Sequence, residues 1–174
     1  MPTLRRNLLL TMAASVLPAA RAFAGPAATP KPLLAVLPGA HLDPACYLVS
    51  EKYDGVRALW DGQTLRFRSG RSVAAPAWFT ARLPRQPLDG ELWLGRRRFD
   101  ELSGLVRART PDDAGWRQLR YMVFELPGAA GTFAERVARL AALVQDTAWE
   151  QLVATPQTTV ADRETLQRRL ARTV

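Results

Sequence analysis

The lysine in the stretch SEKYDGVRALWDG, residues 50 to 62, is unusual for this chain. The sequence has 24 basic residues, and lysine occurs only at Lys31 and Lys52. A neutral lysine amine can act as a covalent nucleophile, whereas arginine keeps its proton in proteins. At the ordinary pKa near 10.4, only about one lysine in 2,500 is neutral at pH 7, so nearby cations or a dry pocket are needed. The pattern therefore indicates an activated amine at Lys52, and a solvated lysine at a strand end is the alternative.

Four further side chains could serve such an amine. Arg57 and Arg68, or a bound metal ion, could supply the positive field that a neutral amine needs. Glu91 could hold a metal ion or a ribose hydroxyl, and Phe124 could stack on a base. Together these parts suit attack of the Lys52 amine on an α-phosphate, with pyrophosphate leaving. The structural alternatives are solvated arginines, an exposed carboxylate after an Asp-Gly turn, and a core phenylalanine.

Stretches with the composition of β-strands carry these residues. The runs VRALW and QTLRFRS flank Asp61-Gly62, which predicts a hairpin with a tight type I′ turn and positive φ at both turn residues. The stretches PLDGELWLG and LRYMVFELPG are apolar and end on turn residues, which predicts two more strands. Neighbouring strands would bring the candidate residues together.

Three helices are predicted between and after the strands, in FDELSGLVRAR, FAERVARLAALVQ and ADRETLQRRLART. The first two have apolar residues at helical spacing, which predicts a buried stripe on each. These positions are Phe99, Leu102 and Val106 in the first helix and Phe133, Val137, Leu140 and Val144 in the second. Strands with interleaved helices predict an α+β fold around an antiparallel sheet.

The first 24 residues have the pattern of an export signal. Two arginines precede an apolar run that is too short to span a bilayer, and Ala22-Phe23-Ala24 offers the small residues that a signal peptidase needs. We therefore expect a signal peptide at 1–24, a periplasmic protein, a linker at 25–46 and the functional domain at 47–174. A transmembrane anchor or a buried helix is the alternative, and both Sec and twin-arginine export stay open.

Basic residues exceed acidic ones with or without this signal. The whole sequence has a formal net charge of +8, and removal of residues 1–24 would leave 21 basic against 16 acidic residues, or +5. Excess positive charge favours polyanionic partners, because binding releases condensed counterions. A genome-wide preference for arginine is the alternative. A single cysteine, Cys46, allows no disulfide within these 174 residues and, with one histidine, does not favour a structural zinc site.

The order of these motifs resembles that of the covalent nucleotidyltransferases, and most closely that of the small exported ATP-dependent DNA ligases of bacteria. The resemblance covers residues 47 to 170. SEKYDGVRALWDG is similar to the first motif of that family, whose lysine takes AMP in a phosphoramide bond. The resemblance places this lysine at Lys52, the motif's nucleotide-contacting arginine at Arg57, and Glu51 beside them in the nucleotide-binding set.

The later motifs of the family have counterparts in the same order. RFRSGR resembles the next motif and places its arginine at Arg68. LDGELW resembles the third motif, whose glutamate contacts ribose or metal and falls on Glu91. YMVFEL resembles the strand motif whose aromatic residue stacks on adenine, which falls on Phe124. The resemblance implies a monomeric enzyme that uses ATP and Mg²⁺ to seal nicked double-stranded DNA in repair, recombination or replication, away from the membrane once the signal is cleaved.

The family pattern also has parts that these 174 residues lack. It continues with a Glu-Gly strand, a Lys-x-Lys strand and an OB-fold domain, and no lysine follows Lys52 here. We therefore expect an incomplete, ATP-grasp-like adenylation domain that by itself is poorly stable and seals few or no nicks. A non-catalytic remnant that binds nucleotide or DNA weakly is one alternative. An RNA ligase or a capping guanylyltransferase of the same superfamily is another, although export argues against capping.

Overall fold

The computed structural model describes residues 42–173, and a five-stranded β-sheet lies at the centre of that region. The strands are β1 (Val56–Trp60), β2 (Leu65–Phe67), β3 (Leu88–Trp93), β4 (Arg120–Glu125) and β5 (Leu152–Ala154). Their order is β2-β1-β3-β4-β5, with every neighbouring pair antiparallel except β4 and β5. The predicted α+β fold around an antiparallel sheet is confirmed, and the parallel edge strand β5 is an addition that the sequence pattern did not predict.

The β1–β2 hairpin forms as predicted, but its turn differs from the prediction. Trp60 pairs with Leu65, so four residues rather than two lie in the loop. Gly62 has a φ of 97°, whereas Asp61 does not have a positive φ, and the predicted type I′ turn is therefore wrong. The Asp61 carboxylate accepts hydrogen bonds from the backbone N–H groups of Gln63 (2.9 Å) and Thr64 (2.7 Å). This side-chain cap stabilises the longer loop.

Five α-helices accompany the sheet in the described part of the chain. They are α1 (Ala77–Thr80), α2 (Phe99–Arg107), α3 (Asp113–Gln118), α4 (Phe133–Thr147) and α5 (Arg163–Thr173). The three predicted helices are α2, α4 and α5. The helices α1 and α3 were not predicted, because four and six residues are too few for a helical repeat to be visible.

The hydrophobic core lies on one face of the sheet. Val56 and Ala58 of β1 both belong to it, because alternate residues of a strand point to the same face. Phe79 of α1 and Trp116 of α3 are fully buried in this core, with ring centroids 4.8 Å apart and an edge-to-face geometry. Arg57, between the two core residues of β1, points to the opposite face.

The two predicted apolar stripes are buried over part of their length. Leu102 and Val106 of α2 and Leu140 of α4 are buried, and Val137 and Val144 of α4 are half-buried. Phe99 and Phe133 are 37% and 39% exposed, so the prediction that they pack in the core is wrong. Each is the first residue of its helix, and the buried stripe begins about one turn further along.

The expected signal peptide, residues 1–24, lies outside the described residues, and so does most of the expected linker at 25–46. The described end of that linker contains one 3₁₀ turn, Pro44–Cys46. Within residues 42–173, no helix has both the length and the apolar character that crossing a membrane would require.

Candidate active site

An open cleft of about 480 Å³ brings together residues from separate strands on the face opposite the core. Five of the six predicted site residues line it, namely Glu51, Lys52, Arg57, Glu91 and Phe124. They come from the segment before β1, from β1 itself, from β3 and from β4. The sequence reasoning that neighbouring strands would bring them together is therefore correct for these five.

The pairing of β1 with β3 places Arg57 directly opposite Glu91. Directly opposed residues of an antiparallel pair project to the same face, with their Cβ atoms about 5 Å apart. Gly55 precedes β1 and allows this approach. A Cβ on Gly55 would lie 2.4 Å from the carbonyl oxygen of Leu92 and 2.6 Å from Cγ of Glu91. The glycine that follows Lys52 by three positions thus lets the Lys52 segment reach the Glu91 side chain.

Arg57 is held by a buried carboxylate, Asp89. Its Nε donates to Oδ1 of Asp89 at 3.0 Å and its Nη2 to Oδ2 at 2.7 Å, a two-bond contact of the strongest kind that arginine makes. The hydrogen bonding to Asp89 raises the pKa of Arg57 above its ordinary value, so the guanidinium stays charged. Its Cζ lies 5.4 Å from the centroid of the Phe124 ring. Asp89 thereby fixes a cation against the aromatic ring of the cleft.

Asp89 is a site residue that the sequence reasoning missed. The alternative interpretation of the sequence placed Asp89-Gly90 in a turn that would leave Glu91 exposed. The structure instead places both residues inside β3, with Asp89 only 1% exposed and Glu91 half-buried. An acidic residue two positions before Glu91 on a strand must point to the same face, and this spacing was the available signal.

Glu91 lies in the cleft with a strongly perturbed acidity. Burial raises the pKa of its carboxyl to about 7, and the nearby Asp89 and Asp54 add to the rise. The charges of Arg57 and Lys52 oppose that rise, which places the Lys52 amine within electrostatic range of the carboxylate. A carboxyl group with a pKa near 7 can take up or release a proton at physiological pH, as functional carboxyl groups often do.

Lys52 itself is exposed at the cleft, on a segment that two neighbouring contacts fix in place. Glu51 forms an ion pair with Arg96, with Oε1 and Nη2 2.8 Å apart. The Tyr53 ring packs on Trp93 at the end of β3, with centroids 5.1 Å apart. The residues on both sides of Lys52 are therefore anchored to β3 or the loop after it, while the amine stays free to meet a ligand.

Phe124 lies at an irregularity in the pairing of β3 with β4. The register shifts between Asp89 and Gly90, so that Asp89 pairs with Glu125, Gly90 pairs with Val123, and Phe124 is the extra residue. Such bulges redirect a side chain and are common beside active sites. The phenylalanine lines the cleft and is partly exposed, so the alternative of a fully buried core residue is wrong.

Arg68 is the predicted site residue that lies elsewhere. It is exposed in a neighbouring depression of about 350 Å³, which also contains Arg71 and Arg107 and shares Arg57 with the cleft. The reason is topological, because Arg68 follows β2 at the edge of the sheet and is one strand further from β3 than Arg57. The structure therefore separates Arg68 from the other predicted nucleotide ligands and places it in an arginine-rich surface beside them.

Comparison with known proteins identifies the fold. No protein-family model matches the chain. The chain is 40% identical over 96 residues to a DNA ligase of Haemophilus influenzae, and the match covers 55% of this chain and 35% of the relative. It is also similar to the solved structure of a Lig E DNA ligase, with 35% identity and a TM-score of 0.71, over 76% of this chain and 52% of that one.

More distant structures have the same fold. The Chlorella virus DNA ligase-adenylate matches with a TM-score of 0.60 and 17% identity, over 82% of this chain and 54% of that one. The bacteriophage T7 ATP-dependent DNA ligase in complex with ATP matches with a TM-score of 0.50 and 21% identity, over 69% of this chain and 51% of that one. The chain thus spans about a third of its curated relative and about half of these structures, and its mixed sheet has the fold of their adenylation domains.

Proposed function

We propose that this chain, whose sequence and fold are similar to those of DNA ligases, transfers AMP from ATP to Lys52 as the first step of nick sealing. The observation that carries the proposal is the convergence of Lys52, Glu91 and Phe124 in one cleft beside the fixed guanidinium of Arg57. These groups are a nucleophile, a carboxylate, an aromatic surface and a cation. Together they match the parts of a nucleotide that would have to be held and attacked.

The bond changes assign a role to each side chain. The lone pair of the neutral Lys52 amine attacks the α-phosphorus and a phosphorus–nitrogen bond forms. The bond to the bridging oxygen breaks, pyrophosphate leaves, and the nitrogen releases one proton to solvent to give the phosphoramide. Phe124 stacks on the base, and Arg57 contacts the nucleotide from a position that Asp89 fixes. Glu91 binds the ribose or a metal ion. Glu51, which is paired with Arg96, belongs to the same cofactor-binding set.

A buried hydroxyl in the cleft supports a polar ligand. Oγ1 of Thr155 is buried and makes no hydrogen bond of regular geometry within residues 42–173. Its one polar neighbour of note is the Tyr53 phenol, whose pKa is raised by burial and lowered in part by this hydroxyl. A buried polar atom without a well-formed hydrogen bond is costly, and a ligand with hydrogen-bonding atoms would reduce that cost. A nucleotide base or sugar has such atoms.

Magnesium fits the site through Glu91. Residues 42–173 contain no group of three or more acidic, histidine or cysteine side chains that could hold a metal ion together. Mg²⁺ commonly binds through one or two carboxylates plus the phosphates of a substrate, so Glu91 and the nucleotide would suffice. Bound in this way, the ion would neutralise phosphate charge.

The arginine-rich depression supports DNA as the second substrate. Arg68, Arg71 and Arg107 lie beside the cleft, and contacts to backbone phosphates are the usual role of such surfaces. Under this proposal AMP passes from Lys52 to the 5′-phosphate at a nick, and the 3′-hydroxyl then displaces it. The protein acts as a monomer on nicked double-stranded DNA.

We also propose that the protein works outside the cytoplasm after cleavage of residues 1–24. The support is the sequence pattern alone, with small residues at the cleavage site. N-terminal sequencing of the protein from a periplasmic fraction should give a chain that starts at Gly25. Recovery of the intact N-terminus in the cytoplasm would contradict this part of the proposal.

The test of the enzymatic proposal uses ATP labelled at either end of the triphosphate. The purified chain, incubated with ATP and Mg²⁺ and then denatured, should retain label from the α-phosphate and none from the γ-phosphate. Lys52→Arg keeps the positive charge but removes the nucleophile, so it should retain none. Stable α-label in this variant would refute the assignment, and no label on the unmutated chain would leave the weakly binding remnant as the better account.

A comparison of substrates separates a DNA ligase from an RNA ligase and from a capping guanylyltransferase. Labelling from ATP and not from GTP is expected, and preferential labelling from GTP would indicate a guanylyltransferase. The labelled protein should pass its AMP to a nicked DNA duplex more readily than to a nicked RNA duplex, and the reverse order would indicate an RNA ligase. Because the sequence predicts little complete sealing by this chain, transfer of label is the appropriate readout.

A further inference from the structure

A second exposed aromatic ring lies on the wall of the cleft. Phe133, the first residue of α4, is 39% exposed and lines the same cleft as Phe124. It is one of four large apolar side chains that are exposed in the described part of the chain, with Tyr47, Phe99 and Leu170. Of these four, Phe133 is the one that lines the cleft. An exposed ring at a ligand cleft indicates a contact for an apolar part of the ligand.

The surroundings of Phe133 repeat those of Phe124. The Arg136 guanidinium lies 5.7 Å from the centroid of the Phe133 ring. Nε and Nη2 of Arg136 donate to the two carboxylate oxygens of Glu125 at 2.7 and 2.8 Å, and Glu125 is 7% exposed. Arg57 bears the same relation to Phe124 and to the buried Asp89. Two rings of the cleft are thus each backed by a guanidinium that a buried carboxylate fixes.

The two carboxylates belong to one structural unit. Asp89 on β3 and Glu125 on β4 are direct register partners. Oε1 of Glu125 also accepts a hydrogen bond from the backbone N–H of Leu126 at 2.7 Å, which fixes the carboxylate immediately after Phe124. The sheet therefore sets the positions of both guanidiniums, and through them it sets the position of α4 relative to β4.

The loop before Phe133 is fixed as well. Nη1 of Arg136 donates to the carbonyl oxygen of Gly131 at 2.7 Å. Thr132 and Glu135 form a complete capping box at the start of α4. The ring is therefore presented by an ordered helix start. Preorganisation of this kind reduces the entropy that binding has to overcome.

We propose that Phe133 is a second aromatic contact for the nucleotide base, and that the Arg136–Glu125 ion pair is the positioning element that holds it at the cleft. The inference deepens the proposed function and rests on it. Phe124 and Phe133 then bind the base between them or along one edge, while Arg57 and Lys52 meet the phosphates. Phe133 contributes to affinity for the base and takes no part in the chemical step.

The test measures binding of ATP, AMP and inorganic triphosphate to the 174-residue chain by calorimetry. Stacking of a base on an aromatic side chain is worth about 1–3 kcal/mol, and a half-exposed ring belongs at the low end. Phe133→Ala should therefore raise Kd for ATP and for AMP by about five- to tenfold. The affinity for inorganic triphosphate should not change, and Phe133→Trp should retain the affinity for ATP.

The matched control is Phe99→Ala. Phe99 is also the first residue of a helix and is 37% exposed, but it lines the neighbouring depression that contains Arg68 and not the cleft of Lys52. The Phe99→Ala substitution should leave the Kd for ATP, AMP and inorganic triphosphate unchanged. Equal losses of ATP affinity in Phe99→Ala and Phe133→Ala would indicate a general effect of removing exposed rings and would overturn the inference.

The positioning role of Arg136 is tested by comparing the losses of AMP affinity in the single and double variants of Arg136 and Phe133. These losses should not add, whereas a merely structural role of Arg136 would give additive losses. Arg136→Ala should weaken AMP binding about as much as Phe133→Ala, and the double variant should be no weaker than Phe133→Ala alone. Additive losses would overturn the positioning role of Arg136. If Arg136→Ala does not fold, the Phe133 series decides the inference, because an exposed side chain can be shortened without unfolding the domain.

The outcomes separate this inference from the proposed function. If the unmutated chain binds ATP and Phe133→Ala binds it equally well, the inference is wrong and the proposed function stands. If Phe133→Ala weakens inorganic triphosphate as much as AMP, the ring does not act on the base and the inference is also wrong. If the unmutated chain binds no nucleotide, both are wrong.

Discussion

The Arg57–Asp89 pair should be the most stability-critical contact of the site, and Asp89→Asn tests this. The substitution keeps the shape of the side chain and one acceptor oxygen but removes the charge that two guanidinium N–H groups meet at 3.0 and 2.7 Å. Asp89 is 1% exposed and Arg57 is 20% exposed, so water can solvate the abandoned guanidinium only in part. The variant therefore leaves a partly buried cation without its partner.

Removing one partner of a buried ion pair typically costs about 3–5 kcal/mol. The residual exposure of Arg57 places the expected loss near the lower end, at about 3 kcal/mol. Since domains have free energies of unfolding of about 5–15 kcal/mol, this is a large part of the total. For a domain of this size the corresponding fall in melting temperature is roughly 10 °C.

The assay is urea unfolding followed by the fluorescence of the five tryptophans. Arg168→Ala is the matched control, because Arg168 and Glu164 form a short ion pair on α5 in which both side chains are largely exposed. Exposed pairs of this kind contribute little, so the control should unfold at nearly the same urea concentration as the unmutated chain. A loss below about 1 kcal/mol in Asp89→Asn, or an equal loss in both variants, would refute the electrostatic reasoning.

Three further predictions concern single residues of the cleft and sheet. Burial holds the pKa of Glu91 near 7, above its ordinary value of 4.5, so its contribution to stability is complete below about pH 4.5 and is lost as the pH rises through about 7. The melting temperature of Glu91→Gln should therefore decline less over that range than the melting temperature of the unmutated chain. Parallel pH profiles of the two proteins would contradict the assignment. Gly90→Ala should lower the free energy of unfolding by about 1–3 kcal/mol, since the new Cβ would lie 2.6 Å from the carbonyl oxygen of Met122. Gly104→Ala, in the open middle of α2, should raise it by up to about 1 kcal/mol. An unchanged free energy of unfolding for Gly90→Ala in chemical denaturation would contradict the packing argument. Phe124→Ala should raise the Kd for ATP at least fivefold by loss of stacking, while Phe124→Tyr should not, and equal affinities in a calorimetric titration would count against base stacking.

Local patterns account for most of the fold. Alternating residues on either side of Asp61-Gly62 located β1 and β2, and apolar runs that end on turn residues located β3 and β4. Apolar residues at helical spacing located α2 and α4, and helix-end signals located α5. Strand β5 has three residues and gains its stability from parallel pairing with β4, a contact between distant parts of the chain. Such a strand leaves no period in the sequence. The same reasoning explains why the one parallel pair in the sheet was not predicted.

The candidate site was predictable where the chemistry lies in a motif. Lys52, Arg57 and Glu91 were recognised from residue type and from the family motifs that they resemble. The register of β1 with β3 brings Arg57 and Glu91 together, and the segment before β1 adds Lys52 to the same cleft. Asp89 and Phe133 were not recognised, because an acidic residue in an Asp-Gly pair indicates a turn and an apolar residue on a helical stripe indicates core. Their exposure and their partners are set by the tertiary structure.

The position of Arg68 could not be predicted from its motif alone. Its motif placed it among the nucleotide ligands, but its location depends on which strand occupies the edge of the sheet. In the structure that edge strand is β2, and Arg68 faces the arginine-rich depression beside the cleft. Spacing along the chain gives no direct measure of that distance, since strand order is decided by pairing between segments that are far apart in sequence.

The central claim is that one amine, that of Lys52, forms a covalent bond to the α-phosphorus of ATP. Mass spectrometry of peptides from the protein, digested after incubation with ATP and Mg²⁺ under conditions that preserve phosphoramides, tests this claim most directly. We expect the mass of AMP on the peptide that contains Lys52, with fragmentation that assigns it to the lysine side chain. AMP on any other residue, or no AMP on a protein shown by calorimetry to bind ATP, would contradict the account.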